Sequence, residues 1–360
     1  MSKKKITIII SSIVLIIFLI ISGICLYANN VLNKINYDDW SNVEEISDED
    51  LIIEKENTEE LQKLEIVEED KVEFSEEEIL AKIPNVSNIL LIGEENQFGD
   101  TRGRTDSMMV LTINTSDKTL KLTSLMRDTY VKIPNHQDNR LNAAYNLGGV
   151  PLLVDTIETN YGITIDNSVL VNFEAFSKII DILGGVDVEL TEDEAEYLNS
   201  TNYITQNDKD IICYAGKNHF NGIQSLGYCR VRYVKCIDGQ ANDFGRTSRQ
   251  RIVLSQLYQN YKNANLTTLL NLVNEILPYI TTDMTKDEII NYVTAVVTMN
   301  PNKIQTFRLP IDGGYNSVSI RGMSVLNLDW EKNVKELKTF LYGDLIEVKE
   351  AKKTDIEVIK

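Results

Sequence analysis

Residues 88–125 read NILLIGEENQFGDTRGRTDSMMVLTINTSDKTLKLTSL and contain the strands on which the predicted fold rests. Residues 88–93 form a short continuous apolar run that ends in glycine, a pattern typical of a buried strand. Residues 107–114 and 119–125 flank a Ser-Asp-Lys turn and predict a hairpin or an adjacent strand pair. This stretch therefore predicts the centre of a β-sheet.

Beyond this stretch, strands alternate with helical patterns. Further strands are predicted at 168–172, 186–190 and 304–309, and helices at 150–161, 173–183, 246–261, 285–299 and 329–342. A helix start is also predicted where Arg140 is followed by Leu-Asn-Ala-Ala-Tyr. This alternation predicts a mixed α/β layered domain.

The 360-residue chain has an ordinary globular composition, with 43% hydrophobic and 25% charged residues, which excludes wholesale disorder. The formal net charge is −18, but 19 acidic residues and only three lysines fall between Asp38 and Leu80. The rest of the chain is therefore nearly neutral. A nucleic-acid-binding protein needs a basic face, and neither the totals nor any run of Lys or Arg offers one, so no nucleic-acid partner is expected.

The N-terminus has the pattern of a membrane anchor. Lys3, Lys4 and Lys5 precede an uncharged apolar stretch over 6–28. As a helix this stretch would extend roughly 34 Å, enough to cross a bilayer core of ~30 Å. A cleaved secretion signal is the alternative, but its apolar core is usually shorter and no good cleavage site follows here. Because lysines favour the cytoplasmic side, we expect a single-pass protein of the cell membrane, with a cytoplasmic N-terminus and an extracellular domain.

These features divide the chain into five predicted segments. They are a cytoplasmic tail (1–5), a transmembrane anchor (6–28), an acidic extracellular stalk (29–85), a catalytic domain (86–345) and a charged C-terminal tail (346–360). The stalk prediction rests on the dense like charges, which repel one another and keep a segment solvated. An acidic arm that binds a ligand is the alternative.

Cysteines and histidines offer little chemistry. Cys25 falls in the predicted anchor, whereas Cys213, Cys229 and Cys236 would lie outside, where disulfides are permitted. Three thiols leave one over, and spacing does not select a pair. No Cys/His spacing is typical of a metal site, and neither histidine of the chain has a catalytic motif around it.

Charged side chains gather where strands of the predicted sheet end, which is a common place for sites in α/β sheets. Arg104 and Asp106 stand at the mouth of the second strand, and Arg127 and Asp128 follow the third. Glu94-Glu95 follows the first strand, in a segment that also contains Asp100.

More arginines follow at spacings that place them on shared faces. Arg230 and Arg232 are two apart and would point to one face of a strand. Arg246 shares a predicted helical face with Arg249 and Gln250. Arg246 also stands at the predicted start of this helix, where the N-terminus would assist anion binding.

Arginines concentrated in a nearly neutral domain predict an anion site, because the planar guanidinium meets phosphate bidentately and stays charged. Carboxylates among these arginines suit a hard divalent cation, above all Mg²⁺, that bridges to a diphosphate. Ordinary surface salt bridging, which contributes little, is the alternative.

An ordered series of motifs between about residues 88 and 257 resembles the LytR-CpsA-Psr family of bacterial envelope proteins. The matching pieces are NILLIG, GRTDSMMVLTIN, SLMRDTYVKIP, RLNAAYNLGG, VNFEAFSKIIDILGGVDVEL, AGKNHFNGIQSLGYCRVRY and NDFGRTSRQRIVLSQL. Each piece alone is weak, but the series in this order is specific. A short cytoplasmic end followed by one anchor is also the usual layout of that family.

The resemblance implies a three-layer α/β domain, in which a mixed central sheet flanked by helices holds a hydrophobic tunnel for a polyprenyl phosphate lipid. It implies a phosphotransferase that moves a glycopolymer from a polyprenyl diphosphate carrier to peptidoglycan, with Mg²⁺ as cofactor. The implied partners are the lipid-linked glycopolymer, peptidoglycan and the membrane. The apolar faces around 152–180 and 252–258 would line the tunnel or, alternatively, belong to the core.

The resemblance also implies roles for individual residues. The diphosphate would be bound by Arg104, Arg127, Arg230, Arg232 and Arg246, with Gln250 supporting the head group. Asp243 would activate the acceptor or orient an arginine, so the candidate catalytic residues are Arg127, Asp243 and Arg246.

The metal would be held by Asp106 and the acid that follows the first strand. There the family usually shows Gly-x-Asp, whereas this chain has Gly93-Glu94-Glu95. Glu95 still offers oxygen ligands, but its extra methylene moves the carboxylate by roughly a bond length, and Asp100 is the alternative ligand.

Two other functions use the same residues. A hydrolase would release the glycan from the lipid diphosphate when water replaces the acceptor. A non-catalytic sensor of lipid phosphate would regulate envelope assembly at the membrane.

Overall fold

The computed structural model describes residues 30–49, 51, 61–74, 82–95, 104–204 and 211–343. The predicted anchor over 6–28 and both predicted tails lie outside these residues. Of the helices in the described ranges, none has the length and apolarity needed to span a membrane.

The strands are, in chain order, β1 (Asn36–Tyr37), β2 (Glu65–Ile66), β3 (Val86–Glu95), β4 (Arg104–Asn114), β5 (Thr119–Leu125), β6 (Tyr130–Val131), β7 (Asn139–Arg140), β8 (Asn167–Asn172), β9 (Val186–Leu190), β10 (Gly216–Phe220), β11 (Ile280–Thr282), β12 (Ile304–Leu309), β13 (Tyr315–Ile320) and β14 (Met323–Leu328). The helices are α1 (Leu141–Tyr161), α2 (Phe173–Ile182), α3 (Glu192–Ser200), α4 (Gly222–Arg230), α5 (Asn242–Asn263), α6 (Leu266–Ile276), α7 (Lys286–Met299) and α8 (Trp330–Tyr342).

A mixed sheet of seven strands, in the order β1-β11-β8-β3-β4-β5-β12, forms the centre of the fold. The strands β3, β4 and β5 are antiparallel neighbours, as the 88–125 stretch predicts. The strands β8 and β12 pair in parallel with β3 and β5, respectively. The ends of β3, β5, β8 and β12 therefore meet at one edge of the sheet.

Alternating side chains of β3 point to opposite faces of this sheet, and helices cover both faces. On one face, Leu90 and Ile92 pack with Leu153 and Ile157 of α1 and Leu337 of α8. On the other face, Ile89 packs in a cluster that includes Tyr258 of α5 and Val296 of α7. This arrangement confirms the predicted α/β fold with a mixed central sheet flanked by helices.

A second unit lies beside the sheet, built from α2, α3, α4 and the antiparallel pair β9–β10. Its helices begin at side-chain caps that the sequence supplies. Asn172 accepts a hydrogen bond from the Ala175 amide at the start of α2, and Thr191 and Glu194 form a capping box at the start of α3. The core of this unit includes Val253 and Leu257 of α5, so that helix belongs to both units.

One predicted helix start is confirmed and another is wrong. The helix α1 begins at Leu141, directly after Arg140 as predicted, and a kink at Gly148 and Gly149 separates this first part from the helix predicted over 150–161. The helix α5 begins at Asn242, so Arg246 lies in its second turn. The prediction that Arg246 stands at a helix N-terminus is therefore wrong.

Parts of the segment predicted as a stalk contact the folded domain. The strand β1 is an edge strand of the central sheet, and β2 pairs with β13. Tyr130 donates a hydrogen bond to Glu69, with 3.0 Å between the oxygens. Trp40 and Phe74 pack against the main core. The division of the chain into five segments stays a prediction.

Candidate active site

The candidate active site lies at the edge of the sheet where β3 and β5 end and β4 begins, opposite the first turns of α5. A β-bulge between Gly93 and Glu94 shifts the pairing of β3 with β4. A Cβ atom at position 93 would lie 3.0 Å from the Cβ of Ser107, so a larger residue there would require the strands to shift by a few tenths of an ångström. Thr105 donates a hydrogen bond to the Gly93 carbonyl, which fixes the bulge directly before Asp106.

Three arginines meet at the Asp106 carboxylate. Arg127 Nη1 lies 2.6 Å from Asp106 Oδ1, while Arg232 Nη2 and Arg246 Nη1 lie 3.1 and 3.0 Å from Oδ2. Arg246 Nη2 also donates to the Asp106 backbone carbonyl. Residues separated by more than a hundred positions in the chain thus converge on one carboxylate.

The same three arginines contact a second carboxylate, that of Asp243 in the first turn of α5. Arg127 Nε and Arg246 Nη2 lie 2.9 and 3.2 Å from Asp243 Oδ2, and Arg232 Nε lies 3.0 Å from Oδ1. Each guanidinium therefore bridges two carboxylates, which fixes its plane. The set of Arg127, Arg232, Arg246, Asp106 and Asp243 is called the arginine cluster below.

The arginine cluster has more positive than negative groups. Burial opposes ionisation of Asp106 and Asp243, but the surrounding guanidiniums outweigh it and lower the pKa of both carboxyls below their usual value. Burial also lowers the pKa of Arg246, and the positive charges of Arg127 and Arg232 act in the same direction. Arg246 Nε is buried without a hydrogen-bond partner among the described residues. A bound anion would balance the excess positive charge and accept a hydrogen bond from Arg246 Nε.

Asp128 adds a third carboxyl beside the cluster. It lies 3.5 Å from Arg127 Nε and 3.7 Å from Arg140 Nε. Burial raises the pKa of Asp128 to about 7, with a further contribution from the neighbouring Asp243 carboxylate. Near neutral pH this carboxyl is therefore partly protonated and adds less negative charge than a free aspartate.

Arg249 does not belong to the cluster, although the sequence predicts that it shares a face with Arg246. Its Nη2 lies 2.8 Å from Glu194 Oε1, and both side chains are fully buried. Its Nη1 and Nη2 donate to the carbonyls of Val231 and Val234. Arg249 thereby holds the segment that carries Arg232.

Arg230 and Arg232 are not on a strand, so the prediction that they share a strand face is wrong. Arg230 is the last residue of α4, and Arg232 follows in a loop. The helix ends there because the backbone of Val231 is extended, and Arg249 Nη1 donates to the Val231 carbonyl. Arg230 is exposed, with its guanidinium 5.5 Å from the centre of the Phe173 ring.

A cavity of about 560 Å³ extends from the arginine cluster between the sheet and the helices α2, α4 and α5. At its polar end it is lined by Asp106, Arg127, Arg230, Arg232, Arg246 and Gln250. Gln250 accepts a hydrogen bond from Ser107. The rest of the lining is mostly apolar and includes Met109, Val171, Phe176, Ile179, Leu183, Leu226, Leu254, Leu257, Tyr258 and Tyr261.

Some of the apolar residues predicted to line a tunnel line this cavity, and others belong to the core. Phe176 and Ile179 of α2 and Leu254 and Leu257 of α5 line it. By contrast, Leu152 and Leu153 of α1 belong to the core on the opposite face of the sheet. For these two residues the alternative interpretation as core is confirmed, because α1 packs behind the sheet.

Three predicted site residues are less completely described. Asp100 lies outside the described residues. Arg104 and Glu95 lie at the paired ends of β4 and β3, but their side chains lie outside the described part of the chain. The neighbouring Glu94 is buried and accepts a hydrogen bond from Tyr145, 3.0 Å between the oxygens.

Among the predicted metal ligands, only the Asp106 side chain is described. No group of three or more His, Cys, Asp or Glu side chains in the described ranges is arranged to hold a metal. Mg²⁺ usually takes one or two protein carboxylates and completes its shell with substrate phosphates and water. Asp106, which is partly exposed within the arginine cluster, fits that donor set.

Two contributions were not predicted. Asp128 received no role, although it follows Arg127 directly at a strand end, which is the signal that could have identified it. Cys229 lines the cavity and is a free buried thiol, as are Cys213 and Cys236. These three described cysteines therefore form no disulfide.

The comparisons with known proteins agree with this architecture. The regulatory protein MsrR of Staphylococcus aureus (strain COL) is 29% identical over 261 residues, which cover 71% of this chain and 75% of MsrR. The Bacillus anthracis (strain CDC 684 / NRRL 3495) protein TagU, named polyisoprenyl-teichoic acid–peptidoglycan teichoic acid transferase, is 31% identical over 203 residues, which cover 56% of this chain and 61% of TagU.

Solved structures share the fold. TagT (YwtF) of Bacillus subtilis with bound octaprenyl pyrophosphate lipid superposes with a TM-score of 0.55 and 22% identity, over 75% of this chain and 97% of TagT. The model of the LytR_cpsA_psr family matches residues 51–340, which include the cavity and all described residues of the arginine cluster. The chain therefore belongs to the LytR_cpsA_psr family.

Proposed function

We propose that this protein transfers a glycopolymer from a polyprenyl diphosphate carrier to peptidoglycan. The observation that carries the proposal is the cavity in which a cluster of three arginines meets an apolar channel. Guanidiniums suit a diphosphate, and the apolar channel suits the tail of its lipid.

The relatives support this proposal. TagU is named as a transferase of teichoic acid to peptidoglycan, and TagT holds a polyprenyl pyrophosphate within the same fold. Teichoic acid is therefore the first donor polymer to test. MsrR is named as a regulatory protein, which corresponds to the alternative of a non-catalytic role.

The proposed step is an attack by a hydroxyl oxygen of peptidoglycan on the phosphorus that carries the polymer. A new P–O bond forms to the acceptor, and the bond to the bridging oxygen of the diphosphate breaks. Polyprenyl phosphate leaves with that oxygen, and the hydroxyl proton passes to a base or to water. Such a reaction depends mainly on positioning and on neutralising charge, so no covalent nucleophile of the protein is needed.

The geometry suggests how the cluster residues divide this work. Arg127, Arg232 and Arg246 would bind the phosphate oxygens, and Gln250 and Arg230 lie beside them in the cavity. Between the two roles considered for Asp243, orienting the arginines fits better than activating the acceptor. Its carboxylate contacts all three arginines, and its low pKa makes it a weak base.

We also propose that Asp106 holds Mg²⁺ together with phosphate oxygens, and that Glu95 or Asp100 contributes a further ligand. When bound, Mg²⁺ would offset charge on the phosphoryl group and orient it. The predicted anchor over 6–28 would keep the domain on the outer side of the cell membrane, where the acceptor lies.

Reconstituted full-length protein with lipid-linked teichoic acid, with and without peptidoglycan, tests the proposal. We expect polymer on peptidoglycan and one polyprenyl phosphate released for each polymer attached. Arg127→Ala should remove both products, whereas Arg321→Ala is the matched control, because Arg321 contacts Glu69 away from the cavity. Release at the same rate without acceptor would support the hydrolase, and binding without turnover would support the sensor.

A further inference from the structure

The helices α6 and α7 expose apolar residues in rows. The residues lie at helical spacing, with exposed fractions from 39% at Val273 to 71% at Leu266, and are Leu266, Leu270 and Val273 on α6 and Ile290, Val293 and Val297 on α7. Single exposed apolar residues are common on soluble proteins, but aligned rows on two helices indicate an interaction surface. These six residues are called the apolar rows below.

The composition of both helices suits a lipid surface. After the charged first turn of α7, which holds Lys286, Asp287 and Glu288, residues 289–299 contain no charged side chain, and Glu275 is the one charged residue of α6. The polar residues between the apolar ones are Thr and Asn, which hydrogen-bond to lipid head groups without a charge to desolvate. Lys34 and Lys286 lie near the ends of the two helices, and each ammonium group donates to an asparagine side chain there.

The apolar rows flank the end of the cavity that lies farthest from the arginine cluster. The helix α5 lines the cavity from Arg246 to Tyr261, a distance of about 22 Å along its axis. Tyr258 and Tyr261, at the apolar end, pack in the same cluster as Tyr292 of α7. The helix α6 follows α5 directly and packs against α2, which lines the opposite wall.

The chain that leads to the predicted anchor reaches the protein at this same place. Lys34 Nζ donates to Asn274 Oδ1 of α6 over 3.0 Å, and Asn36 Nδ2 donates to the Pro278 carbonyl over 2.8 Å. Asn33 contacts Lys286 at the start of α7. Residue 33 is five positions beyond the end of the predicted anchor, and five residues reach at most about 18 Å. Both helices are thereby held close to the bilayer.

We infer that the apolar rows of α6 and α7 rest on the outer surface of the bilayer that contains the protein's own anchor. The apolar end of the cavity then opens toward the lipid, and the arginine cluster lies farther from the membrane. A polyprenyl tail passes from the bilayer into the cavity without exposure to water, which would oppose its extraction. This docking uses the predicted anchor and adds a membrane contact to the proposed transfer.

Depth-dependent quenching tests the contact directly and needs no turnover. Full-length protein carries an environment-sensitive fluorophore on Cys at Leu270→Cys or Val293→Cys, in vesicles of phosphatidylethanolamine and phosphatidylglycerol with nitroxide-labelled lipid. The cysteines outside the anchor are buried, and the wild-type chain gives the background. Ile66→Cys is the control, because Ile66 is 82% exposed on β2, which pairs with β13 away from α6 and α7.

We expect nitroxide lipid to remove most of the fluorescence at positions 270 and 293 and little at position 66. No quenching at 270 and 293 would overturn the inference. It would also be overturned if the apolar rows were covered by a second copy of the chain, seen as energy transfer between differently labelled copies without quenching by lipid.

Glutamate substitutions in the apolar rows distinguish an effect on membrane docking from an effect on the transfer reaction. Leu270→Glu and Val293→Glu should lower transfer from a donor embedded in vesicles and leave transfer from a detergent-solubilised donor unchanged, whereas Ile66→Glu changes neither. An equal loss with both donors, or no loss with either, would contradict docking. If the wild type transfers nothing from either donor, the proposed function fails while the quenching result still decides the membrane contact.

Discussion

The helix α5 contributes an arginine to each of two buried arginine–carboxylate arrangements. The two arrangements differ in how completely their charges and hydrogen-bond donors are paired. Arg249 pairs with Glu194, and its Nη1 and Nη2 also donate to two backbone carbonyls. Three residues earlier, Arg246 belongs to a cluster in which three arginines share Asp106 and Asp243. The first arrangement is balanced and sealed from solvent, and the second has surplus positive charge and opens to a cavity.

The difference teaches how to separate a structural arginine from a binding arginine. A buried charge needs a partner, so a fully paired guanidinium has no capacity left for a ligand. The arginine cluster keeps such capacity, since Arg246 Nε has no hydrogen-bond partner within the described residues and the positive groups outnumber the ionised carboxylates. Arg249 should therefore contribute to stability, and Arg246 to binding and turnover.

The largest effect on stability is expected at the sealed pair. Glu194→Ala leaves Arg249 buried without its carboxylate and should lower the free energy of unfolding by about 3–5 kcal/mol. Urea unfolding of the variant and the wild type measures this difference. The double variant Glu194→Met with Arg249→Met has no buried charge, so its free energy of unfolding should fall by less than that of Glu194→Ala. A single variant as stable as the wild type would contradict the assigned role of the pair.

The largest effect on activity is expected at the cluster. Arg246→Ala removes charge and hydrogen-bond donors from the proposed diphosphate site and should lower transfer by about 10²–10³-fold. Its loss of stability should be smaller than that of Glu194→Ala, because Arg127 and Arg232 still balance the two carboxylates. Arg246→Lys keeps the charge without the planar fork, so its activity should lie between that of the wild type and that of Arg246→Ala. Full activity of Arg246→Ala would contradict a role of Arg246 in binding the diphosphate.

A smaller effect is expected along the apolar channel. Leu254→Trp adds bulk where Leu254 lines the cavity and should exclude about two methylenes of the lipid, which corresponds to roughly tenfold weaker binding of a long-chain donor. Binding of a short-chain diphosphate should stay unchanged, since the arginine cluster is intact. Titration with donors of two chain lengths measures the difference. Equal weakening for both lengths would show that the channel does not hold the tail.

Asp128 should also change how stability depends on pH. The pKa of Asp128 is raised to about 7 in the folded protein and has a usual value of 3.8, so the folded state binds more protons between these values. The free energy of unfolding contributed by this group therefore falls as the pH rises toward 7. Asp128→Asn should remove that contribution, so the wild type should lose stability relative to the variant between pH 5 and pH 8. Parallel curves would contradict the raised pKa.

The sequence predicts local elements well and side-chain partners less well. The 88–125 stretch predicts β3, β4 and β5 because its apolar runs and turn residues lie within a few positions of one another. Pairing between distant segments is not encoded in spacing. Arg249 and Arg246 look equivalent in the sequence, and only the position of Glu194 on α3 makes one of them structural.

Boundaries set by tertiary packing also escape prediction from spacing. The helix α5 begins before Arg246 because Asp243 suits its first turn and Gly245 lets the loop before it approach closely. A Cβ at position 245 would lie 2.7 Å from the Gln240 carbonyl oxygen. Arg230 and Arg232 are two apart as on a strand, but the segment ends a helix and is held by Arg249.

A crystal structure of the protein with a bound polyprenyl diphosphate tests the central claim most directly. We expect phosphate oxygens about 2.7–3.2 Å from the guanidinium nitrogens of Arg127, Arg232 and Arg246. We also expect the lipid tail to follow α5 toward Tyr261. A diphosphate bound at another surface, or a tail lying outside the cavity while the arginines contact only Asp106 and Asp243, would contradict it.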